Sequence, residues 1–308
     1  MAQAWTAELG AISGLRIRWD EPLARYTTYR VGGLADALVW ADDAQQTEAV
    51  LALAKGRDIP FLALGRGSNM LVADKGVRGI VLKLGRDFGT VDVDGDTVTA
   101  GAAVPMSVMS KECAKRGLSG AEFLFGIPGS MGGGIRMNAG AHGASVGDIT
   151  VAARALGWDG ATYELSAADL GFGYRTSELG RHFCGLSGTF RLRPDDPARV
   201  EAKTKEYYYQ RLASQPLDLP SAGCVFRNPD VASAGKLIDD LGLKGLSSGA
   251  VRVSEKHANF LVAADGATAA DVAALIRDVR LRVFDATGVR LELEIRLVGE
   301  EPPQVAPW

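Results

Sequence analysis

Cysteine is scarce in this chain. The three present, Cys113, Cys184 and Cys224, are odd in number and widely spaced, which argues against a disulfide framework and suits a reducing compartment. Histidine is as rare, with three residues and no pair at zinc-ligand spacing, so zinc hydrolysis loses support. Charge of one sign is also missing. A net charge of −3 without a block of like charge gives no reason to expect nucleic acid or membrane lipid as a partner. No apolar stretch approaches membrane-spanning length, and the N-terminal Met1-Ala2-Gln3-Ala4-Trp5 lacks a basic region followed by an apolar one, so a cytoplasmic location is expected. Nothing advertises an interface, and the expectation is a monomer.

Familiar nucleotide motifs are absent too. Gly65-x-Gly67 and Gly132-x-Gly134 have Met70 and Met137 where the Rossmann fingerprint needs its third glycine. No G-x-x-x-x-G-K-[ST] occurs. Gly245-Leu246-Ser247-Ser248-Gly249 fits G-x-S-x-G, but a nucleophile elbow needs a strand before it and a helix after it, and the order here is reversed.

What is present is glycine in clusters. The run Gly126-Ile127-Pro128-Gly129-Ser130-Met131-Gly132-Gly133-Gly134, continuing through Asn138-Ala139-Gly140, reads as too glycine-rich for regular structure and as a backbone cradle for a phosphorylated cofactor. A second cradle lies at Gly65-Arg66-Gly67-Ser68-Asn69, between the apolar runs Phe61–Leu64 and Met70–Val72. Two such loops suggest a ligand with a long polyanionic middle, such as a dinucleotide.

At 308 residues and 47% hydrophobic content, the chain can build two or three cores. Its first third alternates strand and helix: residues 37–40, an amphipathic helix over 43–55, then 61–64. Strands dominate from 79 to 192, with a hairpin at Asp94-Gly95. A helix is predicted from Asp196-Pro197 to Arg211, and Gln215–Pro220 breaks the pattern. Beyond it come a strand at Cys224–Phe226, a helix over 234–241, two strands between Val251 and Ala263, and a helix opened by Thr268 with Asp271 three residues on. The segment Leu291–Leu297 alternates as a strand with Glu292, Glu294 and Arg296 on one face.

Three chemical candidates stand out. Gly173-Tyr174-Arg175-Thr176-Ser177 can present a fixed planar cation or form a surface turn. Cys224 sits at the mouth of a strand in Ser221–Pro229, as an inert thiol or a working one. Ser254–Asn259 interrupts two apolar strands, as a ligand loop or a hairpin turn.

Together with Tyr29-Arg30-Val31-Gly32-Gly33 and Leu291–Gly299, these segments occur in the order seen in UDP-N-acetylenolpyruvoylglucosamine reductases. The chain resembles that flavoenzyme family over nearly its whole length. The short interval from Arg175 to Cys224 resembles the family's second type, which lacks an extra tyrosine-bearing loop. The resemblance implies an α+β protein: an FAD-binding fold of the vanillyl-alcohol-oxidase type in two subdomains, 1–78 with the C-terminal 290–308, and 79–213, plus a smaller α+β UDP-sugar domain at 214–289. It implies FAD as cofactor and NADPH as hydride donor. Tyr29, Arg30, Gly65, Arg66, Gly67, Ser68, Asn69, Gly126, Gly129, Ser130, Gly132, Gly133, Asn138, Ala139 and Gly140 would hold the flavin nucleotide. Tyr174, Arg227, Asn228, Lys256 and His257 would bind the UDP-sugar, with Lys256 on its diphosphate.

By the same resemblance, Arg175 would face the oxyanion that develops on an enolpyruvyl ether, Glu294 would donate a hydrogen bond, and a proton donor would quench the carbanionic centre. Family members often carry serine as that donor; this chain has Cys224, whose thiol is ordinarily far more acidic than an alkyl hydroxyl. Another FAD-dependent oxidoreductase of the same fold, or a non-enzymatic nucleotide binder, would share the glycine loops.

Overall fold

A computed structural model describes residues 5–305; residues 1–4 and 306–308, which include most of the N-terminal segment read above, lie outside the described residues. The chain divides into two compact units, one of Met1–Trp19, Ala37–Arg66 and Gly79–Gln210, the other of Asp20–Asp36, Gly67–Arg78 and Arg211–Trp308.

Two larger sheets lie mostly within the residues of the first unit. One has the order Arg16–Pro22, Leu34–Ala41, Val77–Leu84, Phe61–Ala63, and its last two strands pair in parallel. The other is antiparallel, in the order Thr162–Ser166, Thr150–Gly157, Phe183–Arg191, Thr97–Gly101, Val91–Asp94. Gly95 takes φ +57° at the hairpin, the left-handed turn that Asp-Gly predicts. Asp43 starts the helix Ala44–Gly56 by accepting the Gln46 amide, and Val50, Leu51 and Ala54 carry its buried face into a core with Val39, Ile80 and Leu82. A second core gathers Val98, Met109, Phe123, Met131 and Phe190.

The glycine-rich run corrects the sequence reading. Met131–Arg136 is a short α-helix. Glycine costs about 1 kcal/mol per helical position relative to alanine, and here close packing offsets it. A Cβ on Gly132 would lie 2.9 Å from the Ala102 Cβ, and one on Gly134 would lie 2.9 Å from the Met106 sulfur. Met131 and Ile135, four apart, enter the core on the buried face.

In the second unit, Thr268 and Asp271 form the expected capping box at the start of the helix Ala269–Thr287, and Gly288 closes it at φ +71°. Its stripe of Val272, Leu275, Ile276, Val279 and Val283 is wholly buried. The helix packs on an antiparallel sheet of Ser247–Ser248, Val251–Val253 and Leu261–Ala263.

The segment 291–297 departs from the continuous strand expected of it. Leu293 forms an isolated bridge with Phe226, and regular pairing starts only at Arg296–Val298, parallel to Met70–Val72. The chain changes partner in between: the Glu294 amide bonds to Val225, the Arg296 amide to Asn69. That exchange places 67–78 in one compact unit with 211–308, whereas the sequence reading divides the chain at 78, 213 and 289. Among the described residues, no helix is long and apolar enough to cross a membrane.

Candidate active site

In the first unit, both glycine loops reach one cavity of about 290 Å³, at the lower end of the range for ligand pockets. Gly65, Arg66, Ser130, Gly132 and Gly133 line it. A Cβ on Gly65 would stand 2.5 Å from the Ser130 hydroxyl, so the two loops are in close contact and a side chain at 65 would have to turn that hydroxyl aside. A cradle that a Cβ would fill, with cationic rims, suits the middle of FAD. Within the helix, the Gly132 amide bonds to Ala102 and the Met131 amide to Val104. These amides stitch the helix to its neighbours, and Gly132 serves close packing.

Charge around this cavity is positive. Arg66, Lys83 and Arg136 are the charged side chains lining it among the described residues. Lys83, next to last in the strand Val77–Leu84, donates to the Gly65 carbonyl at 2.5 Å. Burial, then the Arg66 charge, lowers its pKa to about 8. Cys184, also on the wall, is pushed up to about 12 by burial and stays a neutral thiol.

Arg175 sits in the same unit at the third position of a four-residue turn, closed by the Gly173 amide on the Thr176 carbonyl at 3.1 Å. Its φ is +56°, where turn chemistry favours glycine or asparagine. Arginine there stores roughly 1 kcal/mol of strain, so the surroundings must hold it. Asn138 does so from the end of the glycine run: its side chain donates to the Gly173 carbonyl at 3.0 Å and accepts the Gly147 amide at 2.8 Å. The buried Ser177 hydroxyl donates to the Arg136 carbonyl at 3.1 Å, fixing the turn's other end. The guanidinium lies 5.7 Å from the ring of Tyr174, which is half exposed.

Cys224 and Glu294 are neighbours in the second unit. Cys224 bridges Phe260 on one side, while the next residue, Val225, accepts the Glu294 amide at 2.8 Å on the other. Both side chains are partly buried. Asn69 reaches the same place, donating to the Glu294 carbonyl at 3.1 Å. Asn259, only 2% exposed, clamps the segment. Its Oδ1 accepts the Phe226 amide at 2.9 Å and its Nδ2 donates to the Phe226 carbonyl at 2.8 Å, as a strand neighbour would.

Several expected ligand residues have internal duties. Tyr29 is 0% exposed in the second unit's core, and Ala139 is buried in the first unit's, which takes both side chains off any ligand surface. The paired amide bonds of Asn138 make it a support of the Arg175 turn. Gly67, at φ +60°, accepts the Thr28 amide, and a Cβ there would meet the Tyr26 carbonyl at 2.5 Å. Gly140 pairs with Ser145 in a small hairpin, and Gly126 and Gly129 flank the loop before the helix. Ser68 is partly buried; Arg30, at φ +56°, is exposed.

Among the sugar-binding candidates, the Arg227 amide bonds to Glu292 and Asn228 accepts the Ala234 amide. Lys256 is exposed and donates to the Leu212 carbonyl at 2.5 Å. His257 Nδ1 accepts the Asn259 amide, and burial holds this imidazole below its ordinary pKa. The sequence reading missed Lys83 and the clamping role of Asn259. A lone lysine near the end of an apolar strand was the signal for the first; the second had none, because it depends on pairing across 33 residues.

The sheets, the joined loops and the cationic cavity define an FAD-binding oxidoreductase with the α+β architecture expected above. The family model described as FAD binding domain matches residues 35–166. A second, described as UDP-N-acetylenolpyruvoylglucosamine reductase, C-terminal domain, matches 215–298. A UDP-N-acetylenolpyruvoylglucosamine reductase of Paramagnetospirillum magneticum is 43% identical over 96% of this chain and 95% of its own. The protein named UDP-N-acetylenolpyruvoylglucosamine reductase 2 of Symbiobacterium thermophilum is 42% identical over 93% and 94%. The crystal structure of the corresponding reductase from Thermus caldophilus superposes with a TM-score of 0.79 at 35% identity, covering 92% of this chain and 98% of that one. The chain belongs to the UDP-N-acetylenolpyruvoylglucosamine reductase family.

Proposed function

We propose that this chain reduces UDP-N-acetylglucosamine enolpyruvate to UDP-N-acetylmuramate, with FAD as cofactor and NADPH as donor, in peptidoglycan precursor synthesis. The observation that carries the reading is the meeting of two glycine loops at one cationic cavity, in the unit that contains most of the FAD-binding match. Bound FAD, reduced by NADPH, supplies the hydride that adds to the vinyl carbon of the enol ether. The chain's residues do the rest. Gly65, Arg66, Ser130 and Gly133 hold the cofactor's polyanionic middle.

Arg175, fixed by its strained turn, neutralises the oxyanion that develops beside the substrate carboxylate, an interaction stronger in the transition state than in the ground state. Cys224 delivers the proton to the carbon next to that carboxylate, and Glu294 attends the same transfer from the adjoining segment. Lys256 meets the diphosphate, its exposed ammonium exchanging a carbonyl for a stronger anionic acceptor. Arg227, Asn228, His257 and the half-exposed Tyr174 complete the sugar-nucleotide contacts. The reading takes the enzyme as a cytoplasmic monomer.

The test is an anaerobic visible spectrum of the FAD-loaded protein, to which NADPH and then the enolpyruvyl UDP-sugar are added. Bleaching of the flavin band and its return on adding the enol ether is the expected sequence. Bleaching without return leaves a flavoprotein with another substrate. A protein that takes up no FAD overturns the reading of both glycine loops.

A further inference from the structure

The geometry points to Lys83 as an electrostatic anchor for the diphosphate of FAD, exchanging its bond to the Gly65 carbonyl for a phosphate oxygen when the cofactor enters. The inference rests on the FAD reading above and adds a residue that the glycine-loop reasoning does not reach. Three observations converge on it. The lysine is next to last in a strand whose Ile80 and Leu82 are buried in the core, so its backbone is held by a rigid element. Its ammonium is already on the Gly65 loop, 2.5 Å from a carbonyl of the cradle itself. Arg66 and Arg136 line the same cavity, making it a cationic enclosure in which a diphosphate would be the counter-charge. A half-buried ammonium on a neutral carbonyl gains when an anion replaces that acceptor, because bonds between ionised partners are roughly twice as strong as neutral ones.

A pH signature follows. Among the described residues, the charged or titratable groups that line the cavity with Lys83 are Arg66, Arg136 and Cys184. The Cys184 thiol, pushed up to about 12 by burial, stays neutral. Lys83 itself, brought down to about 8 by burial and by Arg66, titrates well below that value. A bound diphosphate favours the ammonium and raises that value. FAD affinity is therefore full below about pH 8 and falls above it, by up to tenfold per unit, until the bound-state value is reached. Binding at about pH 8.5 takes up a fraction of a proton.

The experiment is FAD titration of the apoprotein followed by flavin fluorescence, between about pH 7 and pH 9.5, with calorimetry in two buffers of different ionisation enthalpy to count protons. Lys83→Met should weaken FAD binding roughly 10- to 100-fold at neutral pH, the span of one hydrogen bond to a charged group, and remove the fall above pH 8. Lys83→Arg should restore neutral-pH affinity and also remove the fall, since its charge does not titrate. Wild-type binding that is flat across the range without proton uptake overturns the inference, and this arm needs no variant to fold. So does a Lys83→Arg protein as weak as Lys83→Met, which would give the side chain a steric duty only. A wild-type apoprotein that binds no FAD at any pH sinks the parent reading instead.

Discussion

Replacing Asn259 by alanine removes two hydrogen bonds and nothing else from the Phe226 main chain. The Asn259 carbonyl, which accepts the Val225 amide at 2.9 Å, is untouched. The Phe226 amide and carbonyl are left inside a core where Phe226 is 1% exposed. A buried polar group stripped of its partner costs about 1–3 kcal/mol, so the pair amounts to about 2–6 kcal/mol. A water admitted to the vacated volume would put the result at the lower end. The loss is local to the segment carrying Cys224, so the direct assay is native-state amide exchange of a peptide spanning Val225 and Phe226. At 1.36 kcal/mol per decade, protection should fall roughly 30-fold or more. Turnover of the enolpyruvyl substrate should slow while NADPH still bleaches the flavin at its usual rate. Exchange at Phe226 within about threefold of wild type, with an unchanged urea midpoint, would refute the claim that the asparagine stands in for a missing strand.

Cys224→Ala should leave flavin reduction by NADPH nearly intact and slow turnover of the enol ether by roughly 10²–10⁴-fold; equal loss in both half-reactions in stopped-flow traces removes the proton-donor assignment. Arg175→Asn puts a residue at ease with left-handed backbone where φ is +56°. Urea unfolding should therefore show stability unchanged or raised by up to about 1 kcal/mol, with kcat falling on the order of 10²-fold or more. Burial, against a backbone hydrogen bond and with the charges of Lys244 and Arg211 outweighing that of Asp239, holds the His257 imidazole below its ordinary pKa, while its unfolded counterpart titrates near 6.5. Below that pH the unfolded chain binds more protons, so the wild type should lose stability as pH drops through about 6.5. His257→Gln should flatten that part of the urea-midpoint profile; a parallel profile would disprove the linkage.

How much of this was legible in the sequence depends on the reach of the forces concerned. Asp43, Thr268 and Asp271 mark their helix starts because caps are settled within four residues, and the stripe from Val272 to Val283 is as buried as its spacing predicts. The helix Met131–Arg136 was illegible, since three successive glycines argue against a helix until Ala102 and Met106 are seen pressing on it. The strand at 291–297 failed for a related reason: alternation is local, but Val225 and Asn69 divide the pairing between them. Site residues named from glycine patterns separate into a group that lines the cavity, Gly65 with Ser130, Gly132 and Gly133, and a supporting one, with Asn138 holding the Arg175 turn; Gly132 does both, since it also packs on Ala102. Nothing in one dimension distinguishes a backbone that opens for a ligand from one that opens for a neighbouring strand.

The Arg175 turn has a consequence for molecules built to compete with the substrate. Because Asn138 and Ser177 fix the loop from both ends, the backbone under the cation is set in advance. A flexible acid would have to freeze its own torsions to match it. A rigid acid of the right shape would bind with little ordering on either side, and its advantage should be read in the entropy of binding and in slow dissociation.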